Sequence, residues 1–211
     1  AVIRHGLQTM TYDGILTGIP WAIEPRGFVF RTDYFEQAGI ANPPTTWDEF
    51  LDCCAKLKAA LPDVVPFVFG GGDQMGGQTI LNFLVQNDTG LTDENTQADF
   101  TNSRVIETLE LFGKLYDNGY ISEGTASYKG SDAEKMYYSG TAAIWFNGPP
   151  AGLKDYPDVE KVSAIMPVMK GPSGSSARNY IWMNSIMAYT QTESPDACRS
   201  FIKFWIENEL P

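Results

Sequence analysis

Hydrophobic positions along this chain change period repeatedly, and each change marks an element. Residues 14–20, "GILTGIP", and 27–31, "GFVFR", are β-branched and aromatic runs bracketed by glycine and proline, so they read as two short strands. Between them a tryptophan, a carboxylate and a guanidinium (Trp21, Glu24, Arg26) read as a polar junction. Asp33 starts a short helix, "DYFEQAG", which Gly39 can end in the left-handed conformation. Thr46 and Glu49 form a capping box, and behind it Trp47, Phe50, Leu51, Cys54, Leu57 and Leu61 recur at helical spacing. "VVPFVFG" (64–70) reads as a buried strand, and "GGGDQMGG" (70–77) as a flexible loop opening a helix over residues 78–87, with Ile80, Phe83 and Leu84 inward.

The second half repeats the alternation. A helix over 103–118 is expected to bury Val105, Ile106, Leu109, Phe112 and Tyr116. Ser131 and Glu134 read as a second capping box on a helix ended by Gly140. "TAAIWFNGPP" (141–150) is a strand running into a turn, and "VSAIMPV" (162–168) and "YIWMNSIMAY" (180–189) are strands around the polar loop "KGPSGSSARN" (170–179). Ser194 and Pro195 start a last helix. Helices alternating with short strands predict an α/β sheet with helices on its faces.

The 211 residues are 43% apolar, enough for a sizeable core, and carry 15 basic against 26 acidic side chains, a net charge of −11. That field repels phosphate backbones and anionic lipid, so nucleic acid is not an expected partner. No run of about 18 apolar residues suggests a membrane span. Adjacent Cys53 and Cys54 and the remote Cys198 make neither a disulfide framework nor a C-x-x-C motif, and are expected to be buried thiols. The chain begins at Ala1 without methionine and stops at the edge of an apolar-periodic helix, which leads us to expect a piece of a longer protein.

Material for catalysis is poor. The single histidine, His5, has no cysteine or carboxylate beside it, and neither a G-x-S-x-G elbow nor a phosphate loop ending in Gly-Lys-Ser/Thr is present. No metal or cofactor is expected. Paired carboxylates of the glycosidase kind stay open, although most acidic residues lie at helix starts or in loops. Trp47, Trp145 and Trp205 fall on apolar-periodic faces and read as core, whereas Trp21 and Trp182 stand beside Glu24 and Asn184. An aromatic ring flanked by amide and carboxylate suits a sugar, whose apolar face stacks while its hydroxyls hydrogen-bond. Asn87-Asp88-Thr89 matches the N-glycosylation pattern, a match short enough to arise by chance.

"YDGILTGIPWAIEPRGFVFRTDYFEQAGIANPPTTWDEF", "YYSGTAAIWFNGPP" and "NSIMAYTQTESPDACRSFIKFW" together resemble family 1 extracellular solute-binding proteins of ABC importers, the maltose-binding-protein type. The likeness runs in order over residues 11–205, and its most specific part is Pro-Pro-Thr-Thr-Trp-Asp-Glu. It implies a type II periplasmic-binding-protein (Venus-flytrap) fold of two α/β lobes, each a mixed sheet with helices on both faces, joined by crossing strands and closing on a ligand. On that template residues 1–24 are the end of the first lobe and a crossing strand, 25–180 the second lobe, and 181–211 the return strand and a first-lobe helix. The implied function is an extracytoplasmic, non-catalytic receptor, periplasmic or lipid-anchored, that delivers a sugar to a membrane permease.

Carried over by position, Glu24 matches a sugar-contacting acidic residue, Gln78 and Thr79 lie at a helix start that often touches ligand, and Asn147, Gly148 and Pro149 match a turn at the cleft wall. The tryptophan that follows this turn in the maltose-binding type is Pro150 here. Trp182 and Trp21 are therefore the expected stacking rings, with Asn184 as a further hydrogen-bonding group. A same-fold receptor for a non-sugar solute and a carboxylate-dependent glycosidase are the alternatives.

Overall fold

The computed structural model describes residues 2–93, 95–147 and 151–208. In chain order they form α1 (Val2–Thr9), β1 (Thr11–Tyr12), β2 (Ile15–Leu16), β3 (Ile19–Pro25), β4 (Gly27–Arg31), α2 (Thr32–Gln37), α3 (Trp47–Ala60), β5 (Val65–Val68), α4 (Gln74–Gln86), α5 (Ser103–Asp117), α6 (Gly130–Tyr138), β6 (Ala142–Asn147), α7 (Pro157–Glu160), β7 (Ser163–Ile165), β8 (Ile181–Ile186) and α8 (Pro195–Asn208). The chain divides into two units: one takes the described residues up to Glu24 and those from Ile181 onward, the other is residues 25–180.

The larger unit, 25–180, is built on a mixed sheet of order β5-β6-β4-β7, in which β4 runs antiparallel to β6 and β7 while β5 is parallel to β6. Its central strands are apolar throughout because both faces are covered. Phe28, Phe30 and Phe67 point into a cluster with Phe50, Cys54 and Leu57 of α3, Phe83 of α4 and Leu111 and Leu115 of α5. Val29, Val68 and Trp145 pack on the other side against Ala133, Tyr137 and Tyr138 of α6. The α/β class with helices on both faces is thus the observed one.

The Thr46–Glu49 capping box forms as read, and Gly39 and Gly140 take positive φ (67° and 79°) where α2 and α6 end. Three readings change. α4 begins at Gln74, four residues earlier than read, because Asp73 caps it by accepting from Met75 N–H at 2.9 Å. The start of α6 shifts as well: Asp132, not Glu134, reaches back, accepting from Lys129 N–H at 3.0 Å. α5 buries Val105, Thr108, Leu111 and Leu115, while Ile106, Leu109 and Tyr116 are exposed. The hydroxyl of Thr108 donates to the Arg104 carbonyl, so a polar residue enters that buried stripe with its hydrogen bond made.

In the smaller unit, Asp13 and Gly14 adopt positive φ (49° and 76°) and turn β1 into β2, so only part of the expected first strand is strand. β3 then runs continuously from Ile19 to Pro25 beside β8. The polar junction of the sequence reading is therefore a strand, and only Arg26 lies outside both β3 and β4. Cys198 is half-buried rather than buried.

Burial raises the Cys53 thiol from an ordinary 9.0 to about 11, Cys54 well above the ordinary range, and the Tyr137 phenol to about 12. Unfolded, these groups ionise first, so the folded state holds more protons as pH rises and its stability falls. We expect the urea midpoint of the wild type to decline between pH 9 and 11, and the Cys53→Ala variant to decline less steeply over that window. A midpoint that stays flat across it would contradict this.

Candidate functional site

In the smaller unit, β8 places Trp182 and Asn184 two residues apart, on one face of the strand. The Trp182 indole Nε1–H donates to Asn184 Oδ1 at 3.1 Å, and Asn184 Nδ2 donates to Glu24 Oε1 at 2.7 Å. These bonds fix the amide's orientation, with its carbonyl toward the indole and its NH2 toward the carboxylate. Three of the expected site residues thus form one hydrogen-bonded chain across neighbouring strands.

Trp21 does not join them. Along β3, Trp21, Ile23 and Pro25 are exposed while Ala22 and Glu24 are half-buried, the alternation of a two-faced strand. Trp21 therefore lies on the opposite face from Glu24. Its ring packs edge-on against Trp205 of α8 at 5.7 Å, and it remains 45% exposed. Trp205, read as core, is only partly buried and also touches Phe201 at 6.0 Å.

In the larger unit, Asn147 ends β6 opposite Gly27, and Gly148, Pro149 and Pro150 lie outside the described residues. Gln78 is only 3% exposed, and its Oε1 accepts from Arg26 Nε–H at 2.8 Å. The same guanidinium approaches Asn147 Oδ1 at 3.4 Å. Thr79 is fully buried, and its hydroxyl donates to the Met75 carbonyl one helical turn back. Burial within α4 thus turns both expected contacts inward: Gln78 braces Arg26, and Thr79 packs the helix. The helix begins at Gln74, so these residues are in its second turn rather than at its open start.

Arg26, read from the sequence only as part of a polar junction, is the residue on which Gln78 and Asn147 converge. It stands between two strands with a proline before it and a glycine after it, a signal visible in the sequence. Its position is set by Gln78, 52 residues away, which no local pattern shows. Beside it an apolar notch of about 130 Å³ is lined by Phe28, Ile165, Met166 and Val168, with Asn147 and Asn179 at its polar rim.

Asn87 is fully buried, accepting from Ser173 N–H and donating to the Arg104 carbonyl and the Glu107 carboxylate, so the glycosylation-like tripeptide is a structural feature. Among the described residues no group of three or more His, Cys, Asp or Glu side chains is placed to hold a metal ion. Nor, among them, is any helix long and apolar enough to cross a membrane.

A family profile described as "Bacterial extracellular solute-binding protein" matches residues 4–210. The chain belongs to that family. A protein of Deinococcus radiodurans named "Probable ABC transporter-binding protein" is 24% identical over 205 residues, covering 92% of this chain and 49% of the relative. The fold superposes on a sugar transporter from Arthrobacter chlorophenolicus with bound laminaribiose at a TM-score of 0.82 (23% identity, 97% of this chain and 53% of that one). On a maltose-bound protein of T. maritima the TM-score is 0.75 (22% identity, 94% and 52%). The chain spans about half the length of the curated relatives it matches. The family is one of solute-binding proteins, and the mixed α/β fold is the one these two structures share.

Proposed function

We propose that this solute-binding chain serves a receptor, outside the cytoplasm, that takes up a carbohydrate and presents it to an ABC import permease. The reading is carried by the Trp182–Asn184–Glu24 chain. A pyranose needs a flat apolar partner and a carboxylate or amide for its hydroxyls, and here the ring, amide and carboxylate are held together by hydrogen bonds among themselves. Preorganisation of this kind reduces the side-chain entropy lost on binding. Laminaribiose and maltose in the fold relatives are consistent with it. Asn147 and Gly148 are further proposed contacts, on the strength of the family turn they match. The net charge of −11 disfavours anionic solutes and suits neutral sugars.

The test is calorimetry with a panel of neutral mono- and oligosaccharides, using the polypeptide with all of its natural flanking sequence. We expect a member of the panel to bind, and Glu24→Ala to weaken it at least about tenfold, as loss of a hydrogen bond to a charged group does. Trp182→Ala should weaken it comparably, with the melting temperature little changed for either variant. A protein that ignores every sugar but binds an amino acid or polyamine tightly would overturn the reading.

A further inference from the structure

Beside its apolar residues Phe83 and Leu84, α4 buries a row of amides where a core helix is ordinarily apolar. Gln78, Asn82 and Gln86 follow at intervals of four residues, and all are buried with almost no exposed surface. Burying an amide costs free energy unless its hydrogen bonds are replaced, so each residue's partner identifies what it is for. Gln86 Oε1 takes the Trp47 indole N–H at 2.8 Å, whereas the partners of Gln78 and Asn82 lie where the chain passes from one unit to the other, after Glu24 and before Ile181. Gln78 Oε1 takes the Arg26 Nε–H at 2.8 Å, and Asn82 Oδ1 takes the Tyr180 main-chain N–H at 2.9 Å. The two passages are also tied to each other: Arg26 N–H donates to the Tyr180 carbonyl at 3.3 Å, and the Asn179 amide donates to the Arg26 carbonyl.

The end of α4 treats the returning segment likewise. Gln86 O accepts from Gly171 N–H at 2.9 Å, Asn87 Oδ1 from Ser173 N–H at 2.8 Å, and Asp88 Oδ2 from Ser175 N–H at 2.7 Å. A segment without helix or strand thus satisfies three of its backbone donors at the end of α4 and the two residues after it. The polar loop 170–179 is held along its length.

We propose that Gln78 and Asn82 are positioning residues for ligand binding: through Arg26 and Tyr180 they fix the two passages in register, and so present Glu24 and Trp182, each two residues beyond, as neighbours. This rests on the reading of the Trp182–Asn184–Glu24 chain as the ligand-holding group.

The decisive measurement needs no ligand. Amide hydrogen exchange is followed on the polypeptide with its natural flanking sequence, as wild type, Asn82→Ala, Gln78→Leu and Gln78→Glu. In Asn82→Ala the Tyr180 and Arg26 amides are expected to exchange at least about tenfold faster, while amides of the β4–β6 ladder keep their wild-type protection. The Trp182 indole N–H should lose protection with them. Gln78→Leu should behave similarly at Arg26, and Gln78→Glu, which keeps the acceptor, should match the wild type. Unchanged exchange at Tyr180 and Arg26 overturns the proposal, and so does a uniform rise across residues 25–180, the mark of general destabilisation. If Asn82→Ala does not fold, the two Gln78 variants decide on the same criteria at Arg26. Absence of sugar binding in the wild type would instead remove the functional reading and leave the exchange result to stand on its own.

Discussion

Gly70→Ala is expected to destabilise the larger unit by about 3 kcal/mol, an overpacking cost at the upper end of the usual range. A Cβ at Gly70 would lie 2.4 Å from Gly130 N, 2.7 Å from Lys129 C and 2.8 Å from Gly130 Cα, all main-chain atoms that no rotamer change can move aside. Gly71 and Gly72 are equally close to the backbone of residues 125–127, and their N–H groups donate to the carbonyls of Thr125 and Tyr128 at 3.1 and 2.8 Å. The end of β5 and the start of α6 therefore meet main chain to main chain. Gly77 provides the control: nothing lies within 4 Å of its Cβ position, and it sits exposed inside α4. Gly77→Ala should stabilise by about 0.5–1 kcal/mol, since only backbone entropy changes. Urea unfolding followed by tryptophan fluorescence compares the two. Equal midpoints for Gly70→Ala and Gly77→Ala would show that backbone approach does not set the requirement at 70–72.

Those glycines mark the limit of local reading. In "GGGDQMGG" the chain shows glycine, which implies a flexible loop or a backbone opened to ligand. The actual neighbour is the chain's own segment 125–130, more than 50 residues on, and two of the glycines are helical. The capping box, the left-handed Gly39 and Gly140 and the buried strands were legible because their causes lie within a few residues. The face of α5 was not, because the helix carries two overlapping apolar stripes and packing chooses between them. Asp13-Gly14, by contrast, is a local hairpin signal that a single-strand reading passes over.

The candidate site divides in the same way. Trp182 and Asn184 share a face by strand alternation, and Glu24 joins them through pairing of β3 with β8. Alternation also separates Trp21 from Glu24, which becomes apparent once β3 is one continuous strand instead of a broken junction. Gln78 was noticed for its position near a helix start, yet its role follows from Arg26, and the pairing is visible only in three dimensions.

Phe28→Ala should cost about 3–5 kcal/mol, the range for removing a buried aromatic ring. Phe28 is 2% exposed, and its ring lies 5.1–5.8 Å from those of Phe50, Phe67, Phe83 and Phe146. Few neighbours can collapse into the gap, because three of the four also pack on each other. The residue stands two places after Arg26, and its carbonyl accepts from Met166 N–H at 2.9 Å. The aromatic cluster is thus the foundation on which Arg26 and the apolar notch rest. Phe28→Leu keeps much of the volume and should cost less than half as much, while Ile106→Ala on the exposed face of α5 should stay within about 0.5 kcal/mol of the wild type. Denaturant midpoints order the three variants. If Ile106→Ala proved as costly as Phe28→Ala, the burial assigned to α5 would be wrong, and the core would have to be rebuilt around its other face.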